Sequence, residues 1–147
     1  AFTVEMRKLF KAHPDDLDLR SVFVEAIMNE TPWLMWDLKT GKATPGAGTD
    51  EAVEVLEQAF RDIPASWDHP GLLHLYVHLM EMSPFPQRAL RAGDRLRDLV
   101  PDSGHLIHMP THIDVLCGNY RDVVVYNQKA VAVDRKFLAR EGAMNVY

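Results

Sequence analysis

Cysteine is almost missing from this chain: Cys117 is the only one among 147 residues. A single thiol excludes an internal disulfide framework and fits a reducing, cytoplasmic compartment. Positive charge is in deficit, with 16 Lys and Arg against 21 Asp and Glu and a formal charge of −5. That balance argues against a nucleic-acid partner, because such binding draws most of its energy from a basic face. No apolar run approaches the ~18 residues of a membrane span, and the amino-terminal end lacks the basic-then-apolar order of a signal peptide. Glycine-rich phosphate loops, a serine nucleophile elbow and hairpin signals are missing as well. At 47% hydrophobic and 25% charged, the composition excludes a disordered chain or a coiled-coil rod and suits one globular domain. The chain begins at Ala1 without Met and stops inside a stretch of helical character, Phe137 to Tyr147, as an excised piece of a longer protein would.

What the sequence does contain is a recurring step. Small or apolar residues stand seven apart and are followed five residues later by proline or its equivalent: Ala52, Ala59 and Pro64; Ala89, Leu96 and Pro101; Val123, Ala130 and Arg135. Phe2, Leu9 and Pro14 keep the same spacing with larger side chains. Seven residues are about two helical turns, so each pair offers one face on which a neighbouring helix approaches closely. Proline then ends the helix, since it lacks the N–H and disfavours a helical predecessor. Asp102-Ser103-Gly104 predicts a helix start, Gly118-Asn119 a turn, and Tyr120 to Asp134 a second helix. Val123-Val124-Val125-Tyr126 and Val131-Ala132-Val133 favour strand by propensity, but they lack alternation and the repeat phase runs through them, so helix is the expectation.

The pattern resembles a tetratricopeptide-repeat array, whose unit is 34 residues. Pro101 to Arg135 is 34, Pro64 to Pro101 is 37, and Pro14 to Pro64 is 50, one unit plus the 16-residue stretch Trp33 to Gly48. The resemblance implies an all-α fold, antiparallel helix pairs stacked as a right-handed solenoid of about seven helices. It divides the single domain into degenerate repeats over 1–64 with an inserted loop at 33–48, clearer repeats at 65–101 and 102–135, and a terminal helix at 136–147.

Six of the seven histidines fall between Trp67 and Asp114. His74 and His78 stand four apart, as do His108 and His112, and each member of the first pair precedes its counterpart by 34 residues. At roughly 100° per residue, His74, His78 and Glu81 share an arc of about 60° on one helix, and His105, His108 and His112 do so on the other. In the repeat family these positions of the first helix line the concave groove, so the resemblance implies that all six face inward. From Leu72 to Met82 every other residue is apolar or aromatic. A helix apolar all round is buried, and buried imidazoles and a carboxylate must find partners, because leaving them bare costs several kcal/mol.

A metal satisfies that demand. HxxxH on a helix supplies two ligands, and a second pair from an adjacent helix completes four. The expectation is therefore a divalent transition metal (zinc, iron or copper by ligand type) on His74, His78, His108 and His112, with Glu81 and His105 as further ligands or catalytic acid and base. Leu75 follows His74, so this is not the HExxH of zinc peptidases. Met80 and Met82 would favour copper as soft ligands, but Met on an apolar helix belongs first to the core. Pro110 removes the bond to the Leu106 carbonyl, and the resulting kink can rotate His105 out of phase. Three readings follow. One is a metal-dependent oxidoreductase or hydrolase acting on a small molecule; another is a non-enzymatic scaffold holding a peptide in its groove. In the third, the ion only staples two repeats together.

Other residues carry simpler expectations. His69 precedes Pro70 as loop or cap, and His13 is a surface residue. Asp68 reads as an N-cap, Asp94 as solvated, and Asp114 as an inter-helix contact. Trp33 and Trp36 either pack in the core or lid a pocket. Arg88, Arg91, Arg95 and Arg97 form a solvated cationic face, and Cys117 an inert core thiol. The stretch from Pro70 to Pro84, with Gly104 to Asp114, also resembles a bacterial and fungal group of tetratricopeptide-type proteins sharing this His-rich core, which implies the fold and the singled-out residues but no reaction.

Overall fold

The computed structural model describes residues 2–142. Eight α-helices are present among them: α1 (Phe2–Ala12), α2 (Leu17–Met28), α3 (Thr49–Asp62), α4 (Pro70–Glu81), α5 (Leu90–Leu99), α6 (Gly104–His108), α7 (Pro110–Cys117) and α8 (Tyr120–Glu141). The all-α expectation is met, with one exception inside the predicted insert. There Trp36–Asp37 (β1) pairs antiparallel with Lys42–Ala43 (β2) in a two-stranded hairpin. No helix among the described residues is long and apolar enough to cross a membrane.

Helix ends follow the local chemistry. Asp16 caps α2 by accepting from the Leu19 N–H at 2.9 Å, and Ser103 caps α6 from the Leu106 N–H. α4 departs from expectation. Its cap is His69, whose Nδ1 accepts from the Leu72 N–H at 3.2 Å, while Pro70 occupies the first turn where no donor is needed. Asp68, expected to cap, instead accepts from Arg95. The helical bonding breaks at Met109, just ahead of Pro110, and divides α6 from α7. The valine-rich stretch after Tyr120 is helical throughout, and residues 136–141 simply continue α8; 143–147 of the predicted terminal helix lie outside the described residues.

The core is built where the seven-residue pairs predicted close approach. Ala52, Ala59, Ala89 and Leu96 are fully buried, as is nearly all of Ala130. Phe2 and Leu9 keep the spacing but are 63% and 47% exposed, so that pair is not a packing contact here. Phe23, Leu56, Leu72, Leu73, Val77, Leu79 and Met80 fill the interior. α4 packs against α2, α3, α5 and α7, and α8 packs against α6 and α7. α4 is thus surrounded, which is why its polar residues matter.

Two buried cations brace this arrangement. Arg20 donates to the Val55 carbonyl at 2.6 Å and the Pro14 carbonyl at 2.7 Å. Arg97, expected on a solvated face, is buried: it pairs with buried Asp114 of α7 at 3.0 Å and lies 4.0 Å over the Tyr126 ring of α8. Asp114 thereby makes the inter-helix contact expected of it, while Arg88, Arg91 and Arg95 reach Glu57, Trp67 and Asp68.

Gly48 fixes the return of the insert to the core. Its φ is +71°, a left-handed conformation, and a Cβ there would lie 2.7 Å from Cγ2 of buried Ile27. Gly48→Ala is expected to destabilise the fold by about 2–4 kcal/mol, through backbone strain and overpacking together. Urea denaturation checks this; an unchanged midpoint would refute the assignment.

Candidate metal centre

His74 and His78 project from α4 on adjacent turns, with ring centroids 4.6 Å apart. His105 reaches them from α6. Despite the break at Pro110 it keeps phase, and its Nε2 stands 3.1 Å from Nε2 of His74. One ligand nitrogen from each of His74, His78 and His105 lies within 4.8 Å of the others, a spacing at which the three can share one ion. Two imidazoles bound to one tetrahedral metal at about 2.0–2.1 Å have nitrogens roughly 3.3 Å apart, close to the separation observed.

Glu81 lies one turn beyond His78 with its side chain only 7% exposed. Its Oε1 accepts from His78 Nδ1 at 3.1 Å, and its Oε2 accepts from His112 Nδ1 of α7. A carboxylate only accepts at neutral pH, so both rings carry their proton on Nδ1 and turn Nε2 outward. A carboxylate behind an imidazole in this way orients a ligand and raises its basicity. The sequence singled out Glu81 as ligand, acid or base; its observed contacts are to two imidazoles.

The second pair makes contacts of its own. Nε2 of His108 and Nε2 of His112 are 3.0 Å from each other, and Nδ1 of His108 meets Oδ1 of Asn127 on α8 at 2.7 Å. So the two HxxxH pairs do not close around one point in this structure: His105 joins His74 and His78, while His108 and His112 face one another on the far side of Glu81. Asn127 is a site residue that sequence reasoning missed. It sits on α8, 19 residues from His108, with no motif to mark it.

Burial sets the protonation of the site. Loss of solvent, then the neighbouring His78 and His105, pushes His74 down to about 4. His105 is lowered as well, by burial first and then by the neighbouring His78, His108 and His112. Burial alone would raise Glu81, but the hydrogen bonds from His112 and His78 outweigh it and hold the carboxyl at about 2. His112 is raised, chiefly by its bond to Glu81.

Beside His74 and His78 opens a pocket of about 360 Å³, walled by Met28, Met35, Trp36, Leu75 and Met82, with Trp33 at its mouth. Trp36 belongs to the packed structure: its indole N–H donates to the Leu79 carbonyl at 2.7 Å and ties the hairpin to α4. Trp33 lines the pocket without packing in the core. It is 66% exposed, holds φ at +61°, and meets the His78 ring edge-on with centroids 6.1 Å apart. A bulky residue in the left-handed region is a strained conformation that clusters at ligand sites.

The remaining singled-out residues take structural places. His69, accepting at Nδ1, carries its proton on Nε2 and donates to Asp18 Oδ1 at 3.0 Å across to α2. His13 and Asp94 are exposed. Met80 is fully buried in the core, and Cys117 is partly buried, its thiol pushed up by burial and by Asp114.

No family model, curated protein or solved structure matches this chain. The reading of the centre therefore rests on its own geometry.

The protonation pattern has a consequence for stability. His74 is lowered from 6.5 to about 4, so the unfolded chain binds the extra proton between those values, and stability falls as pH drops through that window. Glu81, lowered from 4.5 to about 2, adds a second loss further into acid. His112, raised, works the other way and gives up its contribution as pH rises. Thermal melts of metal-free protein from pH 7.5 to 4 are expected to fall, and to fall less steeply in His74→Leu. Equal slopes would contradict the burial of a neutral His74.

Proposed function

We propose that this chain is a metal-binding helical-repeat protein in which His74, His78 and His105 hold one divalent transition metal, and that it acts as a metal-dependent enzyme on a small molecule. The observation that carries the proposal is the convergence of the three ligand nitrogens within 4.8 Å. Three imidazoles from two helices, one with a carboxylate behind it, make a ligand set suited to zinc, iron or copper. Three protein ligands leave a position for water or substrate, the arrangement of catalytic sites, whereas structural sites close with four. A metal so held supplies a Lewis acid or redox centre at neutral pH.

The chain's own residues then have distinct tasks. Glu81 keeps His78 in the tautomer that presents Nε2. Burial keeps His74 neutral, so its lone pair is available far into acid. Trp33, Trp36 and Leu75 enclose the approach to His74 and His78, and a pocket of about 360 Å³ suits a small molecule better than a peptide. The scaffold reading is a tetratricopeptide-like solenoid of antiparallel helix pairs. Two facts support it: α4 packs against both α2 and α7, and matching histidine pairs recur on α4 and across α6–α7.

Untagged protein purified with metal present is expected to carry stoichiometric metal at the trio. His74→Ala and His105→Ala are expected to lose it with helicity retained, as measured by elemental analysis and circular dichroism. Retention of that ion in both variants would overturn the assignment. Loss accompanied by unfolding would make the ion a structural staple, since its binding energy would then be folding energy. Glu81→Gln tests the orienting role separately: a fall of about 10–100-fold in metal affinity is expected, because a neutral amide supports His78 less well. Unchanged affinity would remove Glu81 from the centre.

A further inference from the structure

Asn127 decides the state of the second histidine pair. Its Nδ2 donates to the Val123 carbonyl at 2.8 Å and to Thr111 Oγ1 at 3.2 Å, which leaves Oδ1 as the atom facing His108. An amide oxygen only accepts, so His108 must carry its proton on Nδ1 and donate across the 2.7 Å contact. His112 is fixed in the same way from the other side, because its Nδ1 meets the Glu81 carboxylate. In their neutral forms both rings have thus committed their Nδ1 protons, and each turns a lone pair outward from Nε2. Those two nitrogens face each other at 3.0 Å. Two lone pairs at that distance repel unless a cation lies between them.

We infer that His108 and His112 form a second cation site, in which the two Nε2 atoms bind a divalent transition metal distinct from the one at His74, His78 and His105. The separation is near the roughly 3.3 Å expected for two imidazoles on one tetrahedral ion. Each ligand has its outer partner in place, Asn127 behind His108 and Glu81 behind His112, as metal-bound histidines nearly always do. The pair also has an entry path. It borders an open hollow of about 390 Å³ flanked by Met82, Thr111, Val115 and Leu116, where water or a small ligand completes the shell. Glu81 then stands between two metal positions, serving His78 of one and His112 of the other. The inference does not depend on the first trio being filled, since none of its ligands belongs to that trio. The competing occupant is a proton shared between the two rings.

Isothermal titration of the untagged, chelator-stripped full chain with Zn(II) at pH 7.5 separates these cases. Two equivalents are expected for the wild type, and one each for His108→Ala and for His74→Ala. One equivalent that survives His74→Ala and disappears in His108→Ala would uphold the second site and overturn the first. A single equivalent lost in both variants would mean one shared centre and overturn the inference, as would zinc uptake unaffected by His108→Ala. A measurement on the wild type guards against a variant that fails to fold. In ¹⁵N-resolved imidazole spectra, Nε2 of His108 and His112 should carry no proton and should shift on zinc addition. An N–H at either Nε2 that persists in zinc would show that a proton holds the position, and would refute it.

Discussion

The carboxylate of Glu81 is the constraint around which the centre is organised. It is nearly sealed from solvent, and it accepts one hydrogen bond from its own helix and one from α7. A buried anion without partners would cost several kcal/mol, so the two imidazole donors are a condition of α4 being buried at all. They in turn lose their freedom of tautomer. That His78 and His112 present Nε2 rather than Nδ1 follows from that one group.

The apolar character of α4 makes this constraint strict. Leu72, Leu73, Val77, Leu79 and Met80 are fully buried against neighbours on several sides, so the helix cannot rotate to hydrate its polar stripe. Packing thus positions the chemistry. The break before Pro110 belongs to the same scheme: Pro110 is buried, with its ring against Gly93 of α5, where a Cβ would lie only 3.1 Å away. Arg97 and Asp114, paired between α5 and α7, anchor the helix that carries His112. Removing one partner of such a buried pair strands a charge, so this anchor is as much a requirement as the core.

Much of this is legible in the sequence. The seven-residue steps located the buried alanines, the 34-residue recurrence located the histidines, and the uniform apolarity around them showed that they must meet partners. What the sequence left open was local and three-dimensional. Periodicity says which face a histidine shares, but not which nitrogen it presents, and so the division into a trio and a pair was out of reach. Asn127 carries no motif and acts only because α8 folds back beside His108. His69 displaced Asp68 as the cap because its Nδ1 reaches the Leu72 N–H while Asp68 is taken by Arg95. Arg97 looked like its exposed neighbours Arg91 and Arg95, since burial of one arginine depends on where the partner helix places a carboxylate. Phe2 and Leu9 fitted the repeat spacing without being packed, which shows that spacing alone does not establish a contact.

The most direct test of the central claim is an anomalous-difference map from crystals of the untagged protein grown with Zn(II), collected at the zinc edge. The account predicts a peak about 2.0–2.1 Å from one nitrogen of each of His74, His78 and His105. A map with density elsewhere on the surface but none between these three rings would contradict it.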